Sequence, residues 1–344
     1  MLAREHAQTC EGVNRHMPWI IRDNDNCNIE RLKIYQLPVI KTVNQLVDIL
    51  EITEKQEKIF FYKELRKKYL YRTVNIPKRT GGVRQLEIPV DSLKIIQKCI
   101  NNVILNKFKM SNEANAYIKK RSIVTNAIPH VGAKTIIKID IKDFFPSITF
   151  QHVYGQFKYF GYGDNVSKYL ALLCVDGNLK LPQGAPTSPT ISNLISVFMD
   201  SRISGFCKIN NYSYTRYADD ITISSKTKLQ KNIIYSIKNF IKFIFGKFGF
   251  TLNESKFKYF YNGSKLQVTG IVVNNKLSVP KEKIREIENA IRYIGKYGLQ
   301  DHMEHLNIEK NNYIGHLYGL VYYIKMIDVE KGEVYLKQLN ELKL

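Results

Sequence analysis

Two adjacent carboxylates, Asp219 and Asp220, sit in the middle of the stretch Asn211–Ser225. Before them, Tyr212, Tyr214 and Arg216 alternate with Ser213, Thr215 and Tyr217; after them, Ile221 and Ile223 alternate with Thr222 and Ser224. A period of two in aromatic and β-branched residues predicts a β-hairpin with the carboxylates at its tip. Neighbouring negative charges at a tight turn repel, and a divalent cation relieves them, since hard oxygen ligands suit Mg²⁺ and the phosphates bound to it. An ordinary acidic surface turn would look the same from Tyr217-Ala218-Asp219-Asp220 alone. A second segment, Lys134–Ile148, narrows the choice: an apolar strand delivers Asp140 near its end, and Asp143 and Phe145 follow as the chain turns toward a helix. Carboxylates from two such segments can share two metal ions roughly 3.5–4 Å apart, which hold the attacking and leaving oxygens of an in-line phosphoryl transfer. Together the two segments predict a nucleotidyl-transfer site.

The rest of the chain has to position that site and bring it a substrate. Among 344 residues, 52 Lys and Arg stand against 31 Asp and Glu, a net charge of +21 that points to a polyanion, either nucleic acid or an anionic membrane. A membrane is disfavoured: no apolar run approaches about 18 residues, and Met1–Gln8 has no signal-peptide core. The 22 Tyr and 17 Phe interleave with Lys and Arg, which suits stacking on bases, although most aromatic rings belong in a core. Cys10, Cys27, Cys99, Cys174 and Cys207 are odd in number and scattered, as reduced cytoplasmic thiols are, with no paired spacing for zinc or disulfides.

Along the chain, the spacing predicts helices over 37–51, 56–69, 91–108, 150–160 and 229–248, with further helices near 281–295 and 311–326, where Gly315 and Gly319 would permit close approach. Residues 71–89 read as two strands about Thr80-Gly81-Gly82, a hairpin whose Lys78, Arg79 and Arg84 could fold over a triphosphate or simply stay exposed. Asn126–His130 reads as a loop, where Asn and His beside Pro are turn caps as readily as a functional pair. Leu181–Pro189 is a Gly- and Pro-bounded loop at a helix start, with Ser188 as cap and Pro189 as first helical residue. Its Gln183 can donate to and accept from a nucleotide or template base, or be merely exposed. Lys256 could protonate a pyrophosphate leaving group or stay solvated. Outward Lys283, Arg285, Arg292 and Lys296 could track a duplex backbone.

Asp140 with Phe145, Leu181–Gly184, Tyr217–Asp220 and Gly249–Lys256 resemble, in order and spacing, the palm motifs of reverse transcriptases, and the hairpin Ile76–Pro89 is similar to their fingers strands. Asn126-Ala127-Ile128-Pro129-His130 and Val268-Thr269-Gly270 are similar to two signatures of bacterial retron reverse transcriptases, so the resemblance covers roughly residues 37–344. It implies an α+β right-hand polymerase: an N-terminal extension over 1–36, fingers over 37–133, a palm over 134–278 with a fingers portion near 151–180, and a helical thumb over 279–344. It also implies that Asp140 and Asp219 coordinate two Mg²⁺ ions, with Asp220 completing the set. Lys78 and Arg84 would clamp a deoxynucleoside triphosphate; Asp143, Gln183 and Lys256 would line its pocket; and Phe145 would crowd a ribose 2′-OH. Asn126, His130, Val268, Thr269, Gly270, Lys283, Arg285 and Arg292 would contact RNA. Enzymes of this family copy part of a structured noncoding RNA from their own locus into single-stranded DNA, starting from a guanosine 2′-OH. The branched RNA–DNA product stays bound, often with an effector protein, in antiphage defence, and a host ribonuclease H removes template RNA. A different compact bacterial reverse transcriptase, or an inactive RNA-binding scaffold on the same fold, are the alternatives.

Overall fold

A computed structural model describes residues 26–53, 56, 70–77, 81–307 and 312–342. The chain opens with α1 (Ile29–Ile34), capped by the Asn28 side chain, and α2 (Val43–Ile49), capped by the Thr42 hydroxyl. The periodicity predicts a helix from residue 37, but Thr42 is extended and the helix begins only after it. The expected helix over 56–69 lies outside the described residues except at Gln56. β1 (Tyr71–Pro77) and β2 (Val83–Pro89) pair antiparallel from Tyr71 opposite Pro89 to Pro77 opposite Val83. α3 (Asp91–Val103) buries Leu93, Ile96 and Ile100 and ends in a 3₁₀ turn at Leu105–Lys107. Asn126–His130, expected as a loop, is helical: α4 (Ile123–Ala127) starts from a Ser122–Thr125 capping box and runs into a 3₁₀ turn at Ile128–His130.

β3 (Thr135–Asp140) is followed by α5 (Phe144–Ser147), α6 (Phe150–Phe160) and α7 (Asp164–Cys174). α8 (Ser188–Ile195) has Thr187, one residue before the expected Ser188, at its N-cap position without a side-chain cap hydrogen bond, and leads into α9 (Val197–Ile209). β4 (Tyr212–Tyr217) and β5 (Asp220–Ser225) form the expected hairpin. α10 (Lys231–Lys247) and β6 (Lys258–Tyr261) complete an antiparallel sheet in the order β4-β5-β3-β6. The two-residue strands β7 (Gln267–Val268) and β8 (Ile271–Val272) turn at Thr269 and Gly270, both in the left-handed region. The chain closes with α11 (Lys281–Tyr297), α12 (Leu299–His305), α13 (Tyr313–Ile327) and α14 (Val329–Glu341).

Alternation decides which face of the sheet meets what. Ile137 and Ile139 of β3 and Ile221 and Ile223 of β5 point into the main core, together with Ile234, Ile237 and Ile241 of α10 and Leu32 of α1. Each such side chain contributes roughly 1.5–3 kcal/mol of apolar burial. On the opposite face, Ile136 and Phe260 pack with Ala127, Leu266, Val268, Ile271 and Val273 in a smaller cluster under β7 and β8. That face also carries Asp140, Lys138, Asp220 and Thr222, which occupy the same alternate positions. The C-terminal helices enclose a core of their own around Ile287, Leu317, Val321, Ile324 and Leu339. Close approach there falls at Gly332, where a Cβ would lie 2.2 Å from the Lys325 Cα; Gly319 has open space and Gly315 faces its own cap, Asn312. Among the described residues, no helix is long and apolar enough to cross a membrane.

Candidate active site

The register of the central sheet brings the acidic positions together. Asp140, the last residue of β3, lies directly across from Asp220, the first residue of β5. Tyr217 pairs with Asp220 on the other side, so Ala218 and Asp219 form a two-residue turn. Ala218 sits at φ 57°, a conformation that costs a non-glycine residue free energy unless its surroundings hold it. Two contacts do so: the Arg216 Nη1 donates to the Ala218 carbonyl at 3.1 Å, and the Ile141 amide donates to the Asp219 carbonyl at 3.0 Å. Arg216 is itself fully buried and pairs at two points with Asp200 of α9, at 2.8 and 2.7 Å. Tyr214 donates to the same carboxylate, and Asn193 of α8 accepts from Arg216. The turn is therefore set from behind by a desolvated, fully hydrogen-bonded network.

Asp140 is 5 % exposed, and both of its oxygens are engaged. Asn253 donates from Nδ2 to Oδ1 at 2.9 Å, and its backbone amide donates to the Asp140 carbonyl. Lys256 donates to Oδ2 at 2.8 Å, and this hydrogen bond to Asp140 raises the lysine pKa. The Asp220 carboxyl is pushed up to about 6, first by burial and then by the charges of Asp219 and Asp140. A cavity of about 290 Å³ opens on these groups, lined by Lys138, Ile139, Asp140, Asp220, Lys256, Lys258 and Phe260.

The donor chemistry fits a hard divalent cation: three carboxylates on adjoining segments, one of them with its pKa raised first by burial and then by its neighbours' charges. As the side chains stand, no three acidic, His or Cys groups among the described residues converge on one ion position. Lys256 supplies a positive charge at Asp140.

Comparison with known proteins decides what this constellation belongs to. The family model for reverse transcriptase (RNA-dependent DNA polymerase) matches residues 76–296. The chain is 31 % identical to the Retron Mx65 reverse transcriptase of Myxococcus xanthus, over 88 % of this chain and 72 % of that one. It is 31 % identical to the Retron Ec86 reverse transcriptase of Escherichia coli, over 92 % of this chain and 94 % of its relative. The Retron Mx162 reverse transcriptase of Myxococcus xanthus is 30 % identical over 91 % of this chain and 70 % of the relative. The chain belongs to the retron reverse transcriptases.

This retron reverse transcriptase is an RNA-directed DNA polymerase with the right-hand polymerase fold, and the family works with divalent metal ions and deoxynucleoside triphosphates. Its other expected site residues fall into distinct groups. Phe145 is half-buried in α5, its ring centroid 5.5 Å from Phe144 and 6.2 Å from Tyr117. Asp143 is exposed at φ 48° and caps α5 without a side-chain hydrogen bond. The Gln183 carbonyl accepts from the Glu87 amide of β2 at 2.9 Å, which ties the Leu181–Pro186 loop to the β1–β2 hairpin. Gly184 makes that approach possible: at φ 127°, a Cβ would lie 3.0 Å from the Glu87 carbonyl oxygen. Arg84 stands opposite Ile76 in the hairpin register, and Lys78 lies outside the described residues.

The expected RNA contacts need correction. Asn126, His130 and Val268 are buried and offer nucleic acid no direct surface. The His130 ring bonds the Ser224 hydroxyl at 2.7 Å and the Thr215 hydroxyl at 2.8 Å, one from each strand of the β4–β5 hairpin. Asn126 accepts from Thr215 through its carbonyl and donates to Thr269 through its side chain, so the two signature motifs meet each other. Thr269 is half-buried and Gly270 exposed, and the Gly270 carbonyl accepts from Tyr323 of α13. Arg285 and Arg292 are exposed on one face of α11, whereas Lys283 pairs with Glu286 at 2.7 Å.

Arg216, Asp200 and Asn253 carry site geometry without standing out in the sequence. Asn253 had a signal, its place three residues before Lys256; Asp200, next to the apolar Val197-Phe198-Met199, had a weaker one.

Proposed function

We propose that this enzyme copies part of a cognate structured noncoding RNA into single-stranded DNA from an internal guanosine 2′-OH, giving a branched RNA–DNA product used in antiphage defence. The reading rests on one observation above all: Asp140 faces Asp220 across adjoining strands, with Asp219 on the turn between β4 and β5. Asp140 and Asp219 would hold two Mg²⁺ ions with Asp220 completing the set, and the ions would polarise the α-phosphate and stabilise charge on the attacking and leaving oxygens.

The chain's own residues do the remaining work. Asn253 keeps one oxygen of Asp140 oriented; Lys256, held beside the same carboxylate, gives a proton to the leaving pyrophosphate. Phe145 closes the sugar pocket against a 2′-hydroxyl, Asp143 and Gln183 line the nucleotide site, and Lys78 and Arg84 bring positive charge to the triphosphate from the β1–β2 hairpin. Thr269, Gly270, Lys283, Arg285 and Arg292 face the RNA or the hybrid. In domain terms, fingers over 37–133, palm over 134–278 and thumb over 279–344 surround that duplex. Four described cysteines are unpaired thiols, in keeping with a bacterial cytoplasm, where the product stays bound with an effector protein and a host ribonuclease H removes template RNA.

The decisive experiment extracts nucleic acid from the purified enzyme and tests it for a 2′,5′-linked RNA–DNA hybrid. Asp219→Ala should abolish DNA synthesis while RNA binding persists; undiminished extension by that variant would refute the metal assignment.

A further inference from the structure

Lys138 of β3 and Lys258 of β6 stand directly opposite each other in the antiparallel register. Like charges in that relation destabilise a strand pair. Among the described residues, neither lysine has an ion-pair partner, although acidic groups are close: Lys256 takes the free oxygen of Asp140, one alternate position further along β3. Lys138 is half-buried, with its ammonium 5.7 Å from the centre of the Phe260 ring. Both lysines line the same cavity as Asp140 and Asp220. Asp220 offsets the repulsion at Lys138 without forming an ion pair with it, and a like-charged pair so placed beside the cavity makes sense when a further anion is a ligand. Cations bound by the neighbouring carboxylates would increase the need for that anion.

Position selects the anion. Lys138 lies two residues back along β3 from Asp140, about 7 Å at the usual strand rise. Lys258 lies one strand further on, in edge strand β6, whose Phe260 packs in the cluster under β7 and β8. The β1–β2 hairpin, by contrast, is tied to the Gln183 loop through Glu87, and neither contributes a residue to the cavity lining. A strand leaving the carboxylates along β3 and β6 toward β7 and β8 passes the lysine pair.

We propose that Lys138 and Lys258 together form a phosphate site that holds a phosphodiester of the growing strand next to its 3′ end. The assignment rests on the polymerase reading above. Its test uses the full chain and a synthetic RNA–DNA hybrid with a recessed DNA 3′ end, comparing wild type with Lys138→Gln, Lys258→Gln and the double variant. The double variant should bind the hybrid about tenfold more weakly near 0.1 M salt, and its plot of log K against log salt should be shallower by about one unit for each phosphate no longer neutralised. The KM for deoxynucleotides should stay within about twofold, and Lys258→Gln should melt no lower than wild type, because the cross-strand repulsion is gone. Unchanged hybrid affinity and salt slope in the double variant would overturn the site. So would a raised nucleotide KM with hybrid binding intact, which would move the ligand to the triphosphate, or a lowered melting temperature in Lys258→Gln, which would make the lysines structural. A wild-type chain that binds and extends the hybrid while the variants behave identically removes only the lysine site; a wild type that makes no DNA removes the polymerase reading too.

Discussion

The guanidinium of Arg216 and the carboxylate of Asp200 meet at two points, 2.8 and 2.7 Å, with neither side chain exposed to solvent. A third arm of the guanidinium reaches the Ala218 carbonyl, so the pair bears directly on the turn that presents Asp219. Removing one partner strands a buried charge, and Asp200→Ala should cost roughly 3–5 kcal/mol in urea unfolding. An apolar pair of similar volume, Asp200→Leu with Arg216→Met, should recover most of that stability yet lose the bond to Ala218. Its rate of DNA synthesis should stay at least tenfold below wild type at matched folded fraction; full activity in the double variant would show that the turn holds itself.

His130 makes acid stability a readout of the signature helix. Burial, with Lys226 adding to it, pushes its imidazole down to about 3, whereas an unfolded histidine titrates near 6.5. The folded pKa is the lower one, so the unfolded chain takes up the proton first as pH falls. The stabilisation is complete above about pH 6.5 and drains away between there and about 3, at up to roughly 1.4 kcal/mol per pH unit. From pH 7 to pH 5, wild type should lose about 2 kcal/mol more than His130→Gln, measured by denaturant unfolding at both values.

Gly184→Ala should separate binding from chemistry. The added methyl meets the Glu87 carbonyl and forces a φ of 127° on a residue that avoids it. The Gln183 loop then loosens from β2, and the KM for deoxynucleotides should rise several-fold while hybrid affinity changes little. Steady-state kinetics with each substrate varied in turn tests this.

Phe145→Ala should admit ribonucleotides. The ring is held half-buried among Phe144 and Tyr117, so its truncation opens space without unseating α5. Single-nucleotide incorporation should show the preference for deoxynucleotides falling by an order of magnitude or more; preserved selectivity would place the sugar gate elsewhere.

The strands that carry the site were legible because their signal is local. An apolar run that delivers Asp140, and alternation along 212–225 with a break at Ala218 and Asp219, predict a strand and a hairpin with acids at their ends, and those elements form. Helices α6 and α11 were equally readable from periodic apolar positions. The same local rules miscarried at Asn126–His130, where Pro129 and polar neighbours suggest a loop, although Pro is tolerated in the first turn of the helical segment that forms there.

By itself the sequence determined the chemistry on offer, the strand ends that bear it and the basic charge that calls for a polyanion, because composition and short-range periodicity need no partner. Only the tertiary structure decided which groups meet. Asn253 reaches Asp140 across 113 residues, His130 lies between the two strands of the β4–β5 hairpin, and Arg216 turns inward on a strand whose neighbours point to both covered faces. Such pairings follow from how packed layers exclude water and force each buried polar group to find a partner, and no local pattern names that partner in advance.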